Sequence, residues 1–131
     1  MAVQGSLTIE RTLLAGADLS AESNLYKLVK LSTGKVILTT GTTDIPFGVL
    51  ITLGVEDAAV TVLRLGRTKI NANEALSVGD KIGTSADGQA APYVFGTDTT
   101  KYIIGDVIVA AGAAGDYATA DVNCINAPRG A

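Results

Sequence analysis

The stretch Leu76–Ala90, LSVGDKIGTSADGQA, admits two readings that lead to different folds. Its three glycines, small hydroxyl residues and Lys81 could cradle a phosphate, or they could be the turn chemistry of a β-hairpin. A Walker-type phosphate loop needs GxxxxGK[ST] between a strand and a helix, because the helix N-terminus supplies the donors and the field. Gly79, Gly83 and Gly88 lack that spacing, and no helix-period sequence follows Gly88. Val78-Gly79-Asp80 leads instead into a short strand, Ala86-Asp87-Gly88 turns, and Gln89 begins the return. Asp-Gly is among the strongest short hairpin signals. Lys81 lies inside the strand, not at the tip where biotinyl and lipoyl carrier domains present a lysine, and the flanks of Lys35 match neither carrier motif. The stretch is a hairpin.

Strand signals continue on both sides of it. Leu25–Leu31 and Lys35–Thr39 flank Ser32-Thr33-Gly34, which reads as a three-residue connection with Gly34 available for positive φ. Further strand candidates are Ser6–Leu13, Phe47–Leu53, Val60–Leu65, Thr68–Ile70, Lys81–Thr84, Tyr93–Phe95, Tyr102–Ala110 and Ala118–Ile125. Glycine at 15 positions, spaced close to every 8–12 residues, has the cadence of a barrel or sandwich. Asp18–Asn24 suits a single helical turn begun by Asp18 or Ser20, and no stretch keeps apolar spacing of 3.6 for three turns. The expected fold is all-β, a small barrel or sandwich. Residues 1–24 read as an N-terminal arm with a short helical turn, and residues 25–131 as one β domain.

The sequence also echoes itself. Tyr26-Lys27-Leu28 resembles Asp80-Lys81-Ile82, and Ser32–Lys35 resembles Ala86–Gln89, both at an offset of 54. Gly41-Thr42 matches Gly96-Thr97 at 55, and Phe47–Ile51 matches Ile104–Ile108 at 57. The order is kept, which is the expectation of two pseudo-symmetric copies of one unit. A Gly- and Thr-rich β-protein also produces such echoes by chance, and superposition of the two halves separates the readings.

Composition narrows the chemistry. A chain of 131 residues suits one domain, and with no Trp and no His its core must be built from Val, Ile, Leu and Ala. Without His the commonest general base and metal ligand is missing, and neither a Ser-His-Asp nor a Cys-His arrangement can form within the chain. Glu56-Asp57 falls in a turn, Asp116 and Asp121 have no evident partner, and no acidic cluster has EF-hand spacing. No catalytic residue, no cofactor-binding residue and no metal ligand is expected. Cys124, the single cysteine, shares strand parity with Val122 and reads as buried. The net charge of −3 argues against a general nucleic-acid binder. The N-terminus shows no signal-peptide pattern, and the longest uncharged runs fall short of the roughly 20 residues of a membrane helix. A soluble chain made in the cytoplasm is the expectation, with no membrane and no small-molecule substrate among its partners. The mean hydropathy is high for such a chain, so some apolar surface is expected to be covered by another subunit or partner.

Two segments are candidate contact sites. In the arm, Leu7, Ile9, Arg11 and Leu13 share one strand face, and the segment lacks a hairpin partner nearby in sequence. A strand of that kind can add to a neighbour's sheet or pair within its own barrel. Arg64, Arg67 and Lys69 place three of ten cations within six positions, as a charged strand edge or as a polar rim docking on an acidic surface.

Taken together, Pro46-Phe47-Gly48-Val49, Val78-Gly79-Asp80, Ile103–Val107 and the Ala/Gly-rich Ala110–Asp116 resemble the small capsid decoration, or cement, proteins of bacteriophages across roughly residues 25–125. The longer Gln89–Lys101 segment and the Gly105-Asp106 pair depart from that pattern. The resemblance implies a β-barrel on the capsid exterior of the virion, made in the host bacterium. It also implies homotrimers that bridge neighbouring copies of the major capsid protein. The competing class is a receptor- or carbohydrate-binding module of a phage appendage. Such modules carry aromatic platforms, whereas Tyr26, Tyr93, Tyr102 and Tyr117 are dispersed here.

Overall fold

The structure, a computed structural model, describes residues 8–129. Its strands are β1 (Ile9–Leu14), β2 (Leu28–Ser32), β3 (Lys35–Leu38), β4 (Gly48–Leu50), β5 (Ala59–Asn71), β6 (Lys81–Thr84), β7 (Ala90–Pro92), β8 (Gly105–Val109) and β9 (Tyr117–Asn123). The fold is all-β. All strand pairs are antiparallel, in the order β3-β2-β4-β5-β9-β8-β6-β7, with β1 also on β5. Residues 76–90 form the hairpin expected: β6 and β7 are joined by Ser85–Gln89, in which the Ser85 hydroxyl accepts the Asp87 and Gln89 N–H groups and Gly88 has φ +78°.

Several boundaries differ from the sequence reading. Val60–Leu65 and Thr68–Ile70 are one 13-residue strand, β5, running through Gly66. The connection at Ser32-Thr33-Gly34 has two turn residues, not three, since Ser32 pairs with Lys35 and both Thr33 and Gly34 have positive φ. That is the twist-matched turn of a tight hairpin. Tyr93–Phe95 is a loop, because β7 ends at Pro92. Among the described residues the single 3₁₀ turn is Glu22–Asn24, preceded by Ala21, while Asp18 spends its carboxylate on the Ser20 N–H and hydroxyl.

The pairings close two rings that share β5. The first runs β1-β5-β4-β2-β3 and returns through a parallel bridge from Val36 to Ala15, just past β1. The second runs β5-β9-β8-β6-β7 and returns through a parallel bridge from Ala90 to Ala72, just past β5. Each ring has its own core. Ala15, Leu19, Val29, Val36, Leu50, Val60 and Val62 fill the first. Their counterparts Ala72, Leu76, Ile82, Ala90, Val107, Ala118 and Ala120 lie in the second.

The internal duplication is visible in repeated hydrogen bonds. Phe47 N–H donates to the Val29 carbonyl and Ile104 N–H to that of Ile82. Leu50 N–H donates to Lys27 and Val107 N–H to Asp80; Tyr26 N–H donates to Leu50 and Gly79 N–H to Val107. Leu19 and Gly54 bridge as Leu76 and Ala111 do. Tyr26 and Gly79 both have positive φ, as do Asp57 and Gly115. The correspondence extends beyond residues 25–65 and 79–122 to the N-terminal strand: Leu13 pairs with Val60 as Ile70 pairs with Ala118. Thus β1, which as part of an arm could add to a neighbour's sheet or pair within its own barrel, does the latter: it is the first strand of the first unit and pairs with β5. One offset also changes. The hairpin entry matches at 53 (79 − 26), not 54, while the Gly48–Gly105 strand keeps its 57.

The wall between the rings decides the packing. In β2, β4 and β5, adjacent residues Leu28/Val29, Val49/Leu50 and Val62/Leu63 are all buried. Val29, Leu50 and Val62 face the first core, and Leu28, Val49 and Leu63 face the second. A strand buried on both faces reads as a continuous apolar run and not as an alternation.

Candidate interaction surface

The backbone equivalents of Leu28, Val49 and Leu63 in the second unit are Lys81, Asp106 and Asp121. The same face of the same strand is thus a core wall in one unit and a charged outer surface in the other. Lys81 approaches Asp106 at 3.6 Å, and Arg67 approaches Asp121 at 3.2 Å. These side chains are about half exposed, so each pair contributes at most a few tenths to about 1 kcal/mol. A terminal repeat with a polar outer face is what keeps a stack of repeats from continuing.

The expected contact residues within the described chain lie on the paired strands β1 and β5 and differ in exposure. Leu7 lies outside the described residues. Ile9 and Leu13 are half-buried in β1, with Leu13 packed on the first core, and Arg11 is exposed. Arg67 and Lys69 are exposed on β5. Arg64 is not a rim residue. Its guanidinium lies 4.1 Å from the Phe47 ring centroid, its Nε donates to the Phe47 carbonyl at 3.0 Å and an Nη donates to the Cys124 carbonyl. It ties β4, β5 and the exit of β9 together.

Cys124 is buried, and burial pushes its thiol up to about 12 against a smaller opposing pull from the Arg64 charge. A thiol so protonated is not a nucleophile at neutral pH. Among the described residues no group of three or more acidic or sulfur side chains is placed to hold a metal ion. Nor is any helix long and apolar enough to cross a membrane, which says nothing of β-barrels.

The sequence reading missed the loop tip Val94-Phe95. Asp98 Oδ2 accepts the Val94 N–H at 2.8 Å, and Lys101 Nζ sits 2.8 Å from Asp98 Oδ1. The hydrogen bond from Lys101, followed by that from the Val94 N–H, holds the Asp98 carboxyl below its usual range. The first unit repeats the aspartate's contact with the N–H four residues earlier, with a lysine from β2 in place of one three residues on. Asp44 Oδ2 accepts the Thr40 N–H at 2.9 Å, and Lys30 Nζ lies 2.9 Å away. Burial pulls Asp44 upward, but Lys30 and the Thr40 and Gly41 N–H groups outweigh it and leave it lowered. In one unit that contact presents Thr40-Gly41, in the other Val94 and Phe95, which are 53% and 67% exposed. The repeated aspartate, 54 residues apart, was the available signal. It was masked because aromatic residues favour strands.

Fold and surface together define a class: a duplicated all-β barrel with charged pairs on the outer face of its second unit. The chain is similar to the N base of head fiber gp8.5 in bacteriophage phi29, with a TM-score of 0.65 and 20% identity, over 90% of this chain and 96% of that one. No protein-family model and no curated protein matches the sequence.

Proposed function

We propose that this chain is a structural protein of a bacteriophage virion, a scaffold and not an enzyme. In this reading it is made in the host cytoplasm, sits on the outside of the head, and bridges neighbouring major capsid proteins as clustered copies of itself, in threes. The observation that carries the reading is the match in fold of nearly the whole chain to the base of a phage head fiber. The duplicated barrel supports it physically. Among the described residues nine strands are joined in one hydrogen-bonded sheet, as suits a part that bears load. Internal pressure pushes shell subunits apart, and a protein bound across their seams adds binding free energy that must be lost before the seams open. Symmetry-repeated weak contacts accomplish this by avidity.

The test is to add the purified chain to heads of the source phage that lack it, pellet the particles, and image them. Saturable co-sedimentation and new density on the outer surface at seams are expected. Absence of binding, with clear hits on a glycan array instead, would transfer the chain to the receptor-binding class.

A further inference from the structure

Where the two units join, the second turns three positions onto the first. Asn71 is buried, its N–H donates to the Tyr26 carbonyl at 2.9 Å, and its carboxamide bonds the Ser23 carbonyl and the Gln89 side chain. Thr84 is buried with its hydroxyl against that of Thr39. The Gly88 carbonyl accepts the Leu28 N–H at 2.6 Å, and a Cβ on Gly88 would lie 3.1 Å from the Leu28 carbonyl oxygen. Strand register assigns the equivalents in the first unit. Ala15–Val36 and Ala72–Ala90 are the same bridge, so Leu14 stands for Asn71. Leu31 pairs with Val36 as Thr84 pairs with Ala90, and Gly34 and Gly88 are the positive-φ glycines of the two turns. These equivalents are open: Leu14 is 46% exposed, Leu31 is 51% exposed, and a Cβ on Gly34 would meet nothing within 4 Å. The surface sealed at the joint is thus uncovered on the first unit among the described residues, and leucines stand there in place of Asn71 and Thr84. Burial within the chain alone would favour the reverse, leucine at the covered positions and polar residues at the open ones.

We propose that the face marked by Leu14, Leu31 and Gly34 is where the chain docks on the major capsid protein, an inference that rests on reading the chain as a head protein. The joint inside the chain specifies the chemistry of the partner. There the covering side supplies one main-chain acceptor, the Tyr26 carbonyl, and one main-chain donor, the Leu28 N–H. On the free face the Leu14 N–H and the Gly34 carbonyl hold the equivalent places, and among the described residues neither is paired outside its own strand or turn. The partner is therefore a strand edge with a free carbonyl and a free N–H, apolar at its centre to cover the leucines. It needs no charge opposite Lys35, which is already paired with Asp57. A second copy of this chain does not meet that description. Placed as the first unit is placed on the second, its outer face would bring Lys81, Asp106 and Asp121 where Leu28, Val49 and Leu63 stand. Those charges would lose water against the partly buried Leu13 and Phe47 of the first core, a burial that is costly without new partners.

The experiment titrates the full chain onto heads of the source phage that lack it and measures co-sedimentation. Leu14→Asn/Leu31→Thr installs the residues of the sealed joint, and the second unit shows that the strands accept them. Its apparent affinity for heads should fall roughly thirty-fold or more, the effect of removing two half-exposed leucines from a contact. Leu31→Lys, a single change at an exposed position, should weaken binding as well, and thermal melts show that each variant folds. Asp106→Asn, on the equivalent face of the second unit, should bind as the wild type does. If wild type binds and neither leucine variant is weakened, the proposal falls while the head-protein reading stands. Heads that take up no wild-type chain overturn both. A loss of equal size from Asp106→Asn puts the contact on the second unit and also overturns the proposal. So does a self-association of the free chain, read by sedimentation velocity, that Leu14→Asn/Leu31→Thr abolishes, because a second copy is then what covers the leucines.

Discussion

Replacing Val49 by Asp tests the two-faced wall directly. The equivalent strand position in the second unit is already an aspartate, Asp106, so the backbone there accepts the residue and any cost is tertiary. Val49 is fully buried against the second core, and removing its side chain from that environment costs about 1.5–2 kcal/mol in transfer free energy. A carboxyl at that position would have its pKa raised by burial. A rise of roughly 3 to 5 units, the range seen for fully buried acids, costs at pH 7 the interval between the unfolded value near 4 and that pH, about 3 units or about 4 kcal/mol. The total, about 6 kcal/mol, is comparable with the whole stability of a domain this size. Val49→Asp is therefore expected to be largely unfolded at pH 7 by thermal melting and circular dichroism. Since the folded-state pKa is raised, the penalty is complete above that pKa and fades as pH falls toward the unfolded value near 4. The variant should thus regain structure at mildly acidic pH. The reciprocal Asp106→Val removes only a half-exposed pair at 3.6 Å and should shift stability by no more than about 1 kcal/mol. A Val49→Asp protein as stable as the wild type at pH 7, or an Asp106→Val protein strongly destabilised, would refute the assignment of faces.

Four further outcomes follow from the packing. Gly48→Ala and Gly105→Ala should each cost about 3 kcal/mol in urea unfolding, because a Cβ would overlap the Leu63 carbonyl oxygen in one unit and the Asp121 carbonyl oxygen in the other. Arg64→Ala should cost about 2–3 kcal/mol and Arg64→Lys should recover little of it, since the planar fork supplies both carbonyl contacts and the stacking on Phe47. Cys124 should resist aromatic disulfide reagents in the native protein at pH 8 and react on unfolding. Its raised pKa keeps the buried thiol neutral until pH climbs through about 12. Tyr93→Phe should be neutral or stabilising by up to about 1 kcal/mol, because the buried Tyr93 hydroxyl finds no hydrogen-bond partner among the described residues.

Much of the strand grammar was legible because turn chemistry is local. Asp87-Gly88 and Thr33-Gly34 announce their hairpins through glycines that adopt positive φ without strain, and no distant contact alters that preference. The contact surface was less legible. Arg64 looks like a surface cation in sequence, yet the Phe47 ring and two carbonyls claim it. Phe95 looks like a strand residue, yet the Asp98 carboxylate bends its backbone into a loop.

By itself, the order of residues determined that the chain is all-β and where most of its hairpins turn; it raised the expectation that one unit recurs, which the repeated hydrogen bonds decided. What it could not align was the entry of the repeat, where matching Lys27 with Lys81 placed the strands one residue out of step. The reason is burial. Leu28, Val49 and Leu63 are apolar because a second core lies against them, and Lys81, Asp106 and Asp121 are charged because water does. One face of these three strands had therefore lost its likeness to its equivalent, and the hydrogen bonds fix the register of the entry strand.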